Sequence, residues 1–293
     1  MNEKWLTERF EADRARLKGV AFRMLGSLSE AEDAVQQSWL HLARSSTGDV
    51  ENLSGWLTTV VARVCLDMLR ARKSRSEEPV GTDVPESTVG APHAIDPEQE
   101  AALADSVGLA LLVVLETLAP AERLAFVLHE MFDLPFDEIA PIVGRSPTAA
   151  RQLASRARRR VQGASVVRDA QLARQREVVE AYLAAVRGGD LGALLSVLDP
   201  DVEVHADRAA VPPGMPTEAR GAQAVARRAL LAGSDRAQST DLALVDGAVG
   251  IVFAPRGRLR LVLRLTFEAD LIARIDVVAE PTRLDALDLA ILP

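Results

Sequence analysis

The chain holds one cysteine, Cys65, in 293 residues. A single thiol excludes an intramolecular disulfide and fits a reducing compartment. The ordinary role of such a residue is that of a small buried apolar side chain. Aromatic residues make up only 4%, with a single tyrosine, so stacking platforms for single-stranded nucleic acid are short of material. Four scattered histidines and one cysteine supply no metal-ligand spacing, and no glycine-rich phosphate loop is present. Neither a metal nor a cofactor is therefore expected. The longest apolar stretch, around Val107–Leu115, falls far short of the ~20 residues that span a bilayer. The opening MNEKWLTERFEADR is charged and lacks the apolar core of a signal peptide. A cytoplasmic protein without membrane contact is expected. A basic excess is missing too: 34 Lys and Arg stand against 42 Asp and Glu, for a net charge of −8. A protein that binds DNA unaided gains affinity by releasing counterions to its cationic groups. Any nucleic-acid contact here must come from local patches, with weak binding to free DNA.

The length suits two or three small domains rather than one core, and a hydrophobic share of 48% says that most of it folds. Charge is segregated along the chain. From Ala62 to Arg75 five basic residues face only Asp67, whereas Ser76–Ser106 carries eight acids and no Lys or Arg. That acidic stretch also holds Pro79, Pro85, Pro92 and Pro97, and it reads as a linker, mostly disordered when free. Residues 4–75 read as helical. Within Glu30–Leu42, Ala31, Ala34, Val35, Trp39 and Leu42 recur at helical spacing, with Glu32, Asp33, Gln36 and Gln37 on the other face. Ser54 is the expected cap of a helix from Trp56 to about Arg72.

After the linker, Val107–Leu118 and Ala121–Met131 read as two helices separated by Pro120. Phe136–Val143 is a short helix closed by Gly144, and Ser146-Pro147 opens a longer one. From about Arg174 the texture changes. Helices Arg174–Arg187 and Leu191–Leu198 are expected, then a strand at Val202–Ala206 and a helix near Ala222–Leu231. Strands follow at Leu242–Val245, Gly250–Phe253, Leu259–Phe267 and Ile272–Ala279. The alternation of Leu259, Leu261, Leu263 and Leu265 with Arg258, Arg260 and Arg264 predicts a sheet with one face in the core. Helices followed by an antiparallel sheet make this part α+β.

Phe136–Val161 is the most informative stretch. Two helices joined at Gly144-Arg145 have helix-turn-helix spacing. On the second, Thr148, Arg151, Gln152, Ser155 and Arg159 share one side, opposite Ala150, Leu153, Ala154, Ala157 and Val161. No acid occurs from Ser146 to Gln162. Small Thr148 and Ala149 allow close approach to base edges, Gln152 can pair with adenine, and arginines can clamp phosphate or guanine. The competing reading is a solvated basic helix.

At these residues the chain resembles a family. LETLAPAERLAFVLHEMFDLPFDEIAPIVGRSPTAARQLASRARRRV resembles region 4 of RNA polymerase sigma factors, which reads the −35 promoter element. MLGSLSEAEDAVQQSWLHLA and NLSGWLTTVVARVCLDMLRARKSR resemble regions 2.1–2.2 and 2.3–2.4. The absence of a region 3 between them matches the extracytoplasmic-function group. The remainder resembles the SnoaL-like domain, an NTF2-like cone, that follows region 4 in SigI/SigJ-type factors. The resemblance implies two all-α sigma domains followed by an α+β NTF2-like cone: region 2 over residues 1–76, a linker over 77–106, region 4 over 107–166 and the cone over 170–293.

The implied partners are core RNA polymerase, through its largest-subunit clamp and its flap, and promoter DNA. Glu32, Asp33, Gln36 and Gln37 would dock on the clamp. Arg63, Asp67, Arg70 and Arg72 would recognise the −10 element. Thr148, Ala149, Arg151, Gln152, Ser155, Arg156 and Arg159 form the −35 set. Melting would use a flipped base held around Asp49–Ser54, and Trp56 reads as a core residue rather than a stacking platform. The acidic linker is either a nucleic-acid mimic in the enzyme's basic cleft or a plain tether. In the cone, Tyr182, His205, Asp207 and Asp276 are the candidate pocket residues, for a small-molecule ligand or for acid–base chemistry. The alternative to both is a packing and docking module. No catalytic residue is assigned. Two other functions stay open at this point: a one-component helix-turn-helix regulator with a ligand domain, and an NTF2-like enzyme.

Overall fold

The structure is a computed structural model that describes residues 3–44, 52–77, 108–163, 169–233 and 239–292. The chain forms two compact units, one of Met1–Val107 with Leu118–Arg158 and one of Gly108–Thr117 with Arg159–Pro293. Most of the 77–106 linker and the Asp49–Glu51 part of the expected base-holding loop lie outside the described residues. Among the described residues, no helix is long and apolar enough to cross a membrane.

The first unit opens with α1 (Glu3–Leu25), α2 (Leu28–Arg44) and α3 (Leu53–Glu77). Gly26, at φ 72°, makes the tight turn from α1 into α2. The apolar stripe expected in α2 is in place: Ala31, Ala34, Val35 and Leu42 are buried, and Trp39 tilts against Phe10 with ring centroids 5.0 Å apart. The start of α3 corrects the sequence reading. Asn52 is the cap, its Oδ1 accepting the Gly55 amide at 3.0 Å, because Ser54 lies one residue inside the helix. Ser54 instead donates from Oγ to Asp13 Oδ1 at 2.7 Å, a tie between α3 and α1.

Three further helices complete this unit: α5 (Pro120–Phe126), α6 (Phe136–Val143) and α7 (Pro147–Gln162), the last of which runs on into the second unit. Pro120 occupies the first turn of α5, as its missing amide favours. The helix expected through Met131 is α-helical only to Phe126; Val127–Met131 is a π-turn, and Asp133 returns the chain at φ 54°. α5, the π-turn and α6 pack against α1 and α3.

The second unit holds α4 (Leu109–Thr117), α8 (Asp169–Gly188), α9 (Leu191–Val197), α10 (Ala222–Gly233) and a short α11 (Pro281–Leu284). Its strands are β1 (Leu198–Ala206), β2 (Glu218–Arg220), β3 (Thr240–Val245), β4 (Ala248–Phe253), β5 (Leu261–Glu268), β6 (Leu271–Val278) and β7 (Leu289–Ala290). They form one seven-stranded sheet in the order β2-β1-β6-β5-β4-β3-β7. The expected antiparallel sheet needs one amendment, since β1 and β6 run parallel. A long crossover through α10 and the β3–β5 meander returns the chain beside β1 in the same direction.

One sheet face, carrying Val202, Val204, Ile251, Leu265 and Ile275, packs with Val179, Tyr182, Leu183 and Val186 of α8. The opposite face at the β3–β5 end is covered as well, contrary to the single buried face that the leucine–arginine alternation predicts. Ala243, Val245, Val252 and Val262 are buried there, and α4 lies against β3 and β7. Two side chains hold α4 in place. Asp241 Oδ2 accepts the Ala110 amide at 3.1 Å, and Glu116 Oε2 accepts the Leu259 amide at 3.0 Å.

Candidate nucleic-acid interface

The recognition-helix geometry follows from local chemistry. α6 ends at Gly144, whose φ of 69° is a left-handed closure that a glycine adopts at no steric cost, and the Arg145 amide reaches back to the Ala140 carbonyl at 3.0 Å. Ser146 then caps α7, accepting the Ala149 amide on Oγ at 3.3 Å, and Pro147 occupies the first turn. Ala150, Ala154, Ala157 and Val161 are buried. Thr148, Arg151, Gln152, Ser155, Arg156 and Arg159 are exposed, with Ala149 half-buried beside them.

These side chains are not equally free. Arg156 Nε lies 3.2 Å from Glu122 Oε1, and Arg158, outside the expected set, pairs with Glu130. Among the described residues, Arg151 and Arg159 have no acidic partner. Arg151 instead lies over the Phe136 ring, its Cζ 5.4 Å from the centroid. Phe136 in turn meets the His129 ring at 4.0 Å.

On α3, Arg63, Asp67 and Arg70 share an exposed face, with Arg70 and Asp67 3.7 Å apart. Arg72 stands apart from them, half-buried and paired with Glu30 of α2. Trp56 is half-buried. On α2, Asp33, Gln36 and Gln37 are exposed, and Glu32 accepts from Lys18 Nζ at 2.7 Å. Leu40 continues that face at 48% exposure. The sequence reading assigned it no role, although its place one turn after Gln36 puts it on the same side. Cys65 is fully buried, and burial pushes its thiol up out of the reactive range.

Of the four candidate pocket residues, His205 and Asp276 are brought side by side, and Tyr182 lies on the other face of the sheet. Tyr182 sits in the apolar core, where burial pushes its hydroxyl up to about 12. His205 and Asp276 are register partners on β1 and β6, on the face opposite to core residues Val204 and Ile275. His205 Nε2 lies 3.5 Å from Glu203 Oε2. Asp276 receives Arg264 Nη2 and Arg274 Nε, each at 3.0 Å. Burial would raise its carboxyl, but these guanidinium hydrogen bonds and charges outweigh it and hold the group below the ordinary range.

Asp207 is likewise buried yet held low, by the Glu280 and Ala279 amides and by Arg283. All of its visible partners are structural. Among the described residues, no cluster of His, Cys, Asp and Glu could hold a metal ion.

With this geometry in place, comparison defines the class of protein. The family Sigma-70 region 2 matches residues 9–75, and Sigma-70, region 4 matches residues 108–161. The chain is 37% identical over 280 residues to the probable ECF RNA polymerase sigma factor SigI of Mycobacterium tuberculosis (strain CDC 1551 / Oshkosh), covering 95% of this chain and 94% of that one. It is 41% identical over 247 residues to the ECF RNA polymerase sigma factor SigJ of Mycobacterium tuberculosis (strain ATCC 25618 / H37Rv), covering 82% and 78%. The crystal structure of Mycobacterium tuberculosis SigJ superposes with a TM-score of 0.46 at 34% identity, over 94% of this chain and 97% of that one. The chain belongs to the extracytoplasmic-function (ECF) RNA polymerase sigma factors.

Proposed function

We propose that this chain is a promoter-specificity subunit. It binds core RNA polymerase, recognises a two-part promoter, promotes initiation, and is regulated in cis by its C-terminal α+β region. The observation that carries this reading is the pairing of two surfaces. α7 presents an exposed face free of acids, and α2 presents an acid-and-amide face at Asp33, Gln36 and Gln37. The first suits phosphates and base edges, and the second suits a basic protein surface.

In this reading residues 1–76 and 107–166 are the two DNA-reading domains and 77–106 the tether between them. Residues 170–293 are the regulatory cone. α2 docks on the clamp of the largest polymerase subunit, and region 4 docks on the flap. α7 reads the −35 element, and Arg63, Asp67 and Arg70 read the −10 element. The net charge of −8 accords with DNA being bound only in the assembled enzyme. The protein works in the cytoplasm and performs no reaction of its own. The separation of Tyr182 from His205 and Asp276 on opposite faces of the sheet favours a docking and regulatory role for the cone over catalysis.

The test is in vitro transcription with core polymerase. Arg151→Ala combined with Gln152→Ala should abolish output from a cognate promoter while leaving polymerase binding intact. Output retained by that double variant would overturn the −35 assignment.

A further inference from the structure

We propose that Phe136 is a positioning residue that braces Arg151 for base reading, with the His129 ring as its footing. The proposal rests on the reading of α7 as the −35 helix and names a further residue for that site. Three observations support it.

The ring is built into place. Phe136 is the first residue of α6 and follows Pro135, whose ring fixes the entry backbone at φ −70°. Beneath it, the chain departs from the α-helix into the π-turn Val127–Met131, a rare conformation that recurs at functional positions. The turn carries His129, and its Nδ1 lies 3.0 Å from the Leu134 carbonyl, a fit for an imidazole N–H donor. The pinned imidazole meets Phe136 with centroids 4.0 Å apart and planes at 33°.

The arginine on this ring is also the one that needs its donors. Arg156 and Arg158 spend theirs on Glu122 and Glu130. Arg151 lies over Phe136 at 5.4 Å, within the ~6 Å reach of a cation–π contact. Such a contact uses the flat face of the guanidinium and leaves the in-plane N–H fork free for the paired acceptors of guanine. The side chain thus gives up part of its rotamer freedom before DNA arrives, without losing a hydrogen bond.

The experiment uses the full chain with core RNA polymerase, transcribing from a promoter library randomised through the −35 element. Phe136→Leu keeps an apolar side chain at the position and removes the π face. It should lower discrimination against single-base changes in the −35 element by about 2- to 5-fold, the range an exposed cation–π contact sustains. Phe136→Tyr should retain full discrimination, and His129→Ala should lose it in the same direction by a smaller factor. In an Arg151→Ala background, Phe136→Leu should have no further effect. Native discrimination in Phe136→Leu, or a loss that persists undiminished without Arg151, overturns the proposal. Should Phe136→Leu fail to fold by circular dichroism, His129→Ala decides, and native discrimination there overturns it. Native behaviour of Arg151→Ala itself sinks the −35 reading instead, and the brace with it.

Discussion

Arg123 donates through Nη1 to the main-chain carbonyl of Met24 at 2.7 Å, with the arginine 3% exposed and Met24 fully buried. The two residues belong to different matched regions, Arg123 to region 4 and Met24 to region 2. Nearby, Arg23 lies over the Phe132 ring at 5.4 Å. Promoter elements centred at −10 and −35 lie roughly 25 base pairs apart, about 85 Å at 3.4 Å per pair. A compact unit of about 150 residues has a radius of gyration of about 15 Å. Under the proposed −10 and −35 assignments, the packing of α5 and α6 on α1 and α3 has to open before both elements are read at once.

Arg123→Met keeps the stem and removes the donor. It should lower the stability of this unit by about 1–3 kcal/mol, since the Met24 carbonyl loses a charged partner, as read by urea denaturation. Polymerase binding should tighten severalfold, because a closed state reduces apparent affinity in proportion to its population. Weaker binding by a folded variant would show that this packing does not compete with assembly.

On α7 the two unpaired arginines should separate by experiment. The proposed reading gives Arg151 base reading and Arg159, two turns on, phosphate contact. Arg159→Ala should weaken promoter binding by the assembled enzyme nearly uniformly across sequences and reduce the slope of log K against log salt by about 1. Arg151→Ala should cost about 1–3 kcal/mol at one base position and relax specificity there. A salt titration on a small set of −35 variants distinguishes them, and identical profiles would remove the division of roles.

Asp207 closes the end of β1 over the start of α11. Its Oδ2 accepts the Ala279 amide at 2.9 Å and the Glu280 amide at 3.0 Å, and Arg283 pairs with Oδ1. Its folded pKa lies below the unfolded value of about 3.9. The stability it contributes is therefore complete above about pH 4 and is lost as pH falls through the folded pKa. Asp207→Asn should destabilise the protein by about 1–3 kcal/mol at pH 7, and the gap to the native chain should narrow in acid. Denaturation curves at pH 7 and pH 3 measure this, and a gap that is the same at both would refute it.

What the sequence disclosed follows the reach of the forces involved. Local chemistry was readable: Gly144, Ser146 and Pro147 mark the turn into α7 because capping and left-handed closure depend on a few neighbouring residues. The α2 stripe at Ala31, Ala34, Val35 and Leu42 was readable because one face of a helix meets one core. Contacts between distant segments were not. The leucine–arginine alternation of β5 predicted one buried face, yet Val262 on the other face is buried. That face meets α4 at β3 and β7, and α4 lies more than a hundred residues earlier in the chain. The cap at Asn52 was missed because Ser54, an equally good cap by type, is drawn into a bond with Asp13. The candidate pocket residues were chosen by chemistry and by resemblance, and alternation along β1 and β6 places Val204 and His205 on opposite faces. The π-turn leaves no propensity signal, so the stack of His129, Phe136 and Arg151 came from the structure alone.

Within the second unit, two pieces of the region 4 match, α4 and the end of α7, contact the C-terminal sheet. Helix α4, within the region 4 match, buries Ala110, Leu112, Val113, Val114 and Leu115. It lies against β3 and β7, and the Ile291 amide donates to the Val161 carbonyl near the end of α7 at 2.9 Å. Gly163, at φ 70°, lies so close to β7 that an added Cβ would come within 2.7 Å of the Ala290 Cβ. Deleting residues 170–293 should uncover the apolar side of α4, at about 1.5–3 kcal/mol for each large side chain, and alter promoter output strongly. Gly163→Val is the milder test, since it combines a strained backbone with that close approach. It should loosen the attachment at the end of α7 while leaving polymerase binding intact, changing output in the same direction as the deletion. Native output from both variants would mean that the C-terminal region does not regulate the DNA-reading helices.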